Sequence, residues 1–167
     1  MEGKTVKCTI LGCGGSMGVP QLGCACRVCT SDNPKNNRTR CSIFLETPTS
    51  KILVDTAPDF RAQALKYGIN QVNGLIYTHT HYDHIAGIDE VKPLSFDLEN
   101  KMIDTYMTEG VYESLKITNF YAFESHSVYR PFLNPKLIEY YDKLKIGDID
   151  FQFFKQQHGE NFYSLGI

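Results

Sequence analysis

The sequence predicts a layered α/β fold, on three observations. Short runs of aliphatic and β-branched residues are bounded by Gly, Pro, Ser or Asn, and one stretch carries apolar residues at helical spacing. The order strand, strand, helix, strand then leads straight into a dense group of histidines. At 167 residues the chain is read as one domain, residues 1–167, long enough to bury a single sizeable core.

Val6-Lys7-Cys8-Thr9-Ile10-Leu11 alternates and ends in Gly12-Cys13-Gly14-Gly15-Ser16, a strand entering a tight glycine loop. Such a loop lets the backbone approach something closely, or supplies a turn with positive φ. It is not a Walker loop, because no Gly-Lys-Ser/Thr ending follows. Residues 20–40 turn to Gly, Cys, Asn, Pro and Arg without periodicity and read as a long loop. Cys41-Ser42-Ile43-Phe44-Leu45-Glu46 and Lys51-Ile52-Leu53-Val54-Asp55 form a hairpin about Thr47-Pro48-Thr49-Ser50. Residues 59–67 show helical spacing with Gly68 as the stop. Gly74-Leu75-Ile76-Tyr77-Thr78 reads as a buried strand that delivers the chain into His79. Beyond Asp89 the pattern weakens to a helix near residues 109–116 and an aromatic stretch through Tyr121, Phe123, Tyr129 and Phe132. Residues 149–154 alternate as a strand running on to His158, and residues 162–167 form a last strand.

Charge is balanced, with 17 Lys and Arg against 19 Asp and Glu, which gives no support for a general nucleic-acid or membrane binder. The opening Met1-Glu2-Gly3-Lys4-Thr5-Val6-Lys7-Cys8 lacks the apolar run of a signal peptide, and a cytoplasmic protein is expected. Of six cysteines, Cys24, Cys26 and Cys29 are too close for three separate disulfides; in a reducing compartment such thiolates share a metal. Cys8, Cys13 and Cys41 sit beside apolar residues and are expected as small buried hydrophobes.

Thr78-His79-Thr80-His81-Tyr82-Asp83-His84 offers four metal-binding side chains in six positions. On an extended segment His79, His81 and Asp83 project to one side, and a turn at Asp83 brings His84 round to a second ion. His158, after a strand and before a glycine, is the candidate third ligand of the first ion. His126 has no supporting pattern and reads as a surface or satisfied histidine.

The motif His79-x-His81-x-Asp83-His84, with Asp55 ending an earlier strand, resembles the signature of the metallo-β-lactamase-fold hydrolases. Gly12-x-Gly14-Gly15-Ser16-x-Gly18-Val19-Pro20, then Cys24-x-Cys26-x-x-Cys29, is similar to the phosphoribosyl cyclic phosphodiesterase subgroup. Asp55-Thr56-Ala57-Pro58-Asp59-Phe60-Arg61 and His84-Ile85-Ala86-Gly87-Ile88-Asp89 fit the same subgroup. The resemblance implies an αββα sandwich, here its N-terminal portion with an incomplete C-terminal half. It implies two divalent cations, zinc or manganese, and hydrolysis through metal-bound hydroxide. His79, His81 and His158 would hold one ion and Asp83 and His84 the other, with Asp83 counted in the catalytic set and Asp55 orienting the histidine loop. Cys24, Cys26 and Cys29 would hold a structural zinc with a fourth ligand from elsewhere.

A bridging aspartate and a further histidine that the resemblance implies have no counterpart in the 167 residues. The expectation is therefore a truncated or split form, completed by a second copy or another chain, with an exposed apolar edge at residues 162–167. The substrate class implied is a small phosphodiester, cyclic or nucleotide-like, rather than long nucleic acid. Two alternatives stand beside it: a non-catalytic zinc-binding remnant, and a protein like the pyrroloquinoline quinone biosynthesis protein of the same fold.

Overall fold

The structure, a computed structural model, describes residues 5–125 and 127–167. A six-stranded sheet runs in the order β1 (Lys7–Gly12), β2 (Ser42–Glu46), β3 (Lys51–Val54), β4 (Gly74–Ile76), β5 (Ile103–Met107) and β6 (Leu133–Leu137). β1, β2 and β3 pair antiparallel, and β3 to β6 pair parallel. The parallel pairs require crossovers. These are α1 (Phe60–Tyr67), α2 (Tyr82–Ile85) with the 3-10 helix Ile88–Ser95, and α3 (Glu109–Thr118).

Strand alternation feeds two cores. Leu53, Leu75, Ile103, Met107 and Leu133 face the helices, meeting Phe60, Ile88, Val91, Val111 and Leu115. Ile52, Val54 and Ile76 face the other way, onto Ile146, Ile149, Phe151, Phe153 and Leu165. Those partners come from two hairpins, β7 (Lys143–Ile146) with β8 (Ile149–Gln152), and β9 (Phe154–Gln157) with β10 (Tyr163–Gly166). A sheet covered on both faces explains why β3 and β4 are continuously apolar. Each fully buried Leu, Ile or Phe contributes roughly 1.5–3 kcal/mol to holding the layers together. The helix–sheet–hairpin layering agrees with the αββ part of the expected sandwich.

The long 20–40 loop is pinned by backbone pairing of Val19 with Arg38 and of Gly14 with residues 39 and 40. The glycine loop exists for close approach: a methyl on Gly12 would overlap the Arg40 carbonyl, and one on Gly14 the Arg38 carbonyl. Neither has a positive φ; in this region Gly18 and Gly23 do.

Several expectations need correcting. The run 149–158 is not one strand. It breaks at the buried Phe153, whose N–H donates to the Asp142 carbonyl, so that β8 and β9 belong to different hairpins. β5, β6 and β7 carry too many polar residues to stand out as strands. β6 even contains Pro135, tolerated because the strand lies at the sheet edge. Cys8 and Cys13 are exposed and Cys41 half-buried, because β1 is the opposite edge strand and leaves one flank open. Leu165 of β10 is buried, its N–H bonded to the Thr78 carbonyl at 2.9 Å, so the middle of this strand packs against the sheet while Tyr163 and Ile167 stay exposed. His126 lies outside the described residues.

Candidate metal centre

The site forms where β3 and β4 end. Asp55 follows β3 with φ 59, a left-handed conformation that Asp tolerates better than most residues. Its N–H bonds the Ile76 carbonyl, and its own carbonyl accepts from the Ser42 hydroxyl. This fixes the carboxylate beneath the histidine loop. There Oδ1 accepts from the Thr78 N–H at 2.8 Å, and Oδ2 accepts from the Thr78 hydroxyl at 2.7 Å and meets His84 Nδ1 at 2.6 Å.

The loop is laced to the 55–60 segment by Thr56 N–H to the His84 carbonyl and Gly87 N–H to the Thr56 carbonyl, both 2.8 Å. Gly87 is required here because a side chain would overlap the Ala57 carbonyl and press on Phe60. His79 and His81 leave an extended segment, with His81 at ψ 143 as the residue before α2. Asp83 and His84 lie within α2, a single helical turn, rather than on the extended ladder.

The structure brings His79, His81 and His158 together: one ligand atom from each lies within 4.8 Å of the others. His79 is 3% exposed, its Nδ1 is 2.9 Å from the Thr78 hydroxyl, and its buried Nε2 has no hydrogen-bond partner. A buried nitrogen without a partner costs about 1–3 kcal/mol. A cation accepting that lone pair, together with the imidazoles of His81 and His158, removes the cost, so the donor set fits a divalent metal. Burial, then the neighbouring His84, His158 and His81 rings, push His79 down to about 3, leaving it neutral and ready as a ligand.

His84 offers a second position. Its Nε2 lies 3.4 Å from Asp83 Oδ2, while Nδ1 is held by Asp55. Burial alone would lower this imidazole, but the Asp55 hydrogen bond and the charges of Asp55 and Asp83 outweigh it and raise it. Asp55, His79 and His84 also fall within 4.8 Å of one another. Because Asp55 Oδ2 is already engaged by His84 and Thr78, its geometry is that of an orienting acceptor rather than a free ligand.

Cys24, Cys26 and Cys29 converge on the surface, with Sγ atoms within 4.8 Å, and among the described residues no fourth Cys, His or carboxylate joins them. The backbone N–H of Cys29 and the neighbouring thiols bring Cys26 down to about 7. Two residues at the histidine site carried no signal in the motif. Thr78 bridges Asp55 and His79, and was detectable only as the residue preceding the first histidine. Phe162 stacks on His81. Among the described residues no helix is long and apolar enough to cross a membrane.

Known proteins resemble this chain in sequence and fold. The crystal structure of a diphosphatase from the PhnP family is 34% identical with a TM-score of 0.87, over 96% of this chain and 60% of that one. Zinc-bound PqqB from Methylobacterium extorquens, at 19% identity and a TM-score of 0.70 over 91% of this chain and 56% of that one, shares the fold. An octanoyltransferase of Porphyromonas gingivalis is 38% identical over 122 residues, which are 72% of this chain but 24% of that protein. The chain thus spans less than two thirds of each, and the octanoyltransferase name describes a protein of which it matches a quarter. The model of the family described as the beta-lactamase superfamily domain matches residues 50–165, from the start of β3 to β10. The chain therefore belongs to the beta-lactamase superfamily and carries the metallo-β-lactamase fold.

Proposed function

We propose that the protein is a metal-dependent hydrolase of a small phosphodiester, cyclic or nucleotide-like. In this reading His79, His81 and His158 hold one divalent cation, Asp83 and His84 contribute to a second, and Asp55 orients His84 and Thr78. The observation that carries it is the convergence of three imidazoles on a buried, unpartnered His79 nitrogen. The likeness to a diphosphatase directs the choice toward phosphorus rather than acyl substrates. Zinc or manganese bound there would supply Lewis acidity and lower the pKa of a coordinated water toward ~7.

The chain's own residues contribute in separable ways. The buried Asp55 carboxylate sets the His84 ring so that Nε2 faces Asp83. Thr78 gives its proton to Asp55, which leaves its oxygen free to accept from His79 Nδ1–H and so present Nε2 as the ligand nitrogen. Cys24, Cys26 and Cys29 are read as three of four ligands of a structural zinc, residues 1–167 as one domain, and the cytoplasm as its location. Hydrolysis of bis-p-nitrophenyl phosphate by the zinc- or manganese-loaded protein tests the assignment. Turnover of a thioester or lactone without turnover of the phosphodiester overturns it.

One observation favours a second reading, a zinc-binding protein without catalysis: at the second position Asp83 meets His84 Nε2, while the nearby Asp55 is already engaged by His84 Nδ1 and Thr78. Elemental analysis separates the two. Two transition metals per chain beyond a thiolate-bound zinc support the enzyme, and one or none supports the binding protein.

A further inference from the structure

Each metal-facing imidazole needs something to hold its plane, and in metal sites this is ordinarily a carboxylate, carbonyl or hydroxyl on the other ring nitrogen. His84 has Asp55, and His79 has Thr78. His81 has neither. Its Nδ1 contact is His158 Nε2 at 3.3 Å, another member of the cluster, and among the described residues no oxygen meets its ring nitrogens. What His81 does have is Phe162, whose ring lies parallel to it within 7° at a centroid distance of 4.8 Å.

Phe162 also approaches His79 at 5.9 Å and 66°, and His158 at 5.8 Å and 54°. The turn that carries it is closed by the His158 N–H donating to the Phe162 carbonyl at 2.9 Å, with Gly159 at φ 119 and Asn161 at φ 56 reversing the chain. One short turn therefore delivers both the third histidine and the ring that borders all three. His81 is exposed, so without that ring its plane would be free to rotate toward solvent.

We infer that Phe162 is a positioning residue for the cation site: stacking replaces the missing hydrogen bond and holds His81 with its ligand nitrogen turned toward His79 and His158. The inference rests on the reading that these three histidines share a cation, and it adds a residue outside the histidine motif.

Cobalt(II) binding tests it without reference to turnover. Affinity is read by chelator competition and the visible absorption bands report ligand geometry, for wild type and for Phe162→Ala, Phe162→Leu and Phe162→Tyr, with circular dichroism confirming the fold. The expected result is cobalt binding about ten- to a hundredfold weaker in Phe162→Ala, with shifted bands. Phe162→Leu keeps apolar volume without a ring face and is expected to remain weakened, whereas Phe162→Tyr restores binding to about the wild-type level. Wild-type affinity and bands in the alanine variant, or in the leucine variant should alanine not fold, overturn the role of Phe162. A wild-type protein that binds no cobalt at the histidines overturns the shared-cation reading, and the role of Phe162 with it.

Discussion

Asp55 Oδ2 and His84 Nδ1 stand 2.6 Å apart, and the same oxygen accepts the Thr78 hydroxyl at 2.7 Å. A residue in a left-handed turn after β3 thus holds both the entry and the far end of the histidine loop.

Replacing Asp55 separates geometry from charge. Asp55→Asn tolerates the left-handed backbone and keeps one acceptor, so the fold should persist while the second cation position loses about ten- to a hundredfold in affinity. Asp55→Ala leaves Thr78 and His84 without their acceptor and should cost about 1.5–3 kcal/mol in urea unfolding. Zinc titrations of the asparagine variant indistinguishable from wild type would show that Asp55 does not act through His84.

His79 and His84 are displaced in opposite directions, and the signs matter. Without metal, His79 stays neutral down to about pH 3, whereas an unfolded histidine takes a proton near ~6.5. The unfolded chain binds the extra proton between those values, so the contribution of His79 to stability falls as pH is lowered through that window. His84 is raised, so its contribution is complete below the unfolded value and is lost as pH rises through the folded one. A cation reaching His84 Nε2 must expel a proton, while one reaching His79 near neutrality need not. Calorimetry of zinc binding near pH ~6.5 in two buffers of different ionisation enthalpy should therefore show proton release. Identical heats in both buffers count against it.

The orphaned His79 nitrogen predicts a variant that is more stable and less capable. His79→Leu fills similar space with no buried nitrogen to satisfy, so the metal-free protein should gain about 1 kcal/mol, or roughly 2–4 °C in Tm. The same change should abolish cation binding at the three-histidine position. A metal-free variant that melts below the metal-free wild type would refute this account of the site.

Cys26 should be the most reactive of the three clustered thiols. It is exposed, and the Cys29 N–H together with its neighbours lowers it to about 7, whereas Cys24 is raised. Iodoacetamide labelling of metal-free protein, followed by peptide mass spectrometry across pH, should show Cys26 modified first with a midpoint near 7. Added zinc should protect it, and unchanged labelling in zinc would argue against a thiolate site.

The first half of the fold was legible because its local signals agree: β2 and β3 flank a Pro-containing turn, α1 ends at a left-handed Gly68, and β3 and β4 are apolar runs. The second half was not. β5 reads Ile-Asp-Thr-Tyr-Met and β6 Leu-Asn-Pro-Lys-Leu, strands fixed by parallel pairing to distant partners rather than by their own composition. At the site, side chains supplied by one contiguous motif were visible in the sequence. His158 was a weaker candidate, because 77 residues separate it from His81 and only the turn of β9 into β10 brings them to 3.3 Å. Phe162 was invisible, since nothing local marks an aromatic residue as the partner of a ring so far back in the chain.

Pro135 has a consequence for how molecules meet one another. The Phe132 carbonyl and the Ile138 N–H both bond toward β5, so by the two-residue alternation the Pro135 nitrogen points outward from the sheet. That margin lacks a donor at its midpoint and resists pairing with a foreign strand, which leaves the β1 margin, with Val6 and Ile10 exposed, as the more open of the two edges of the six-stranded sheet.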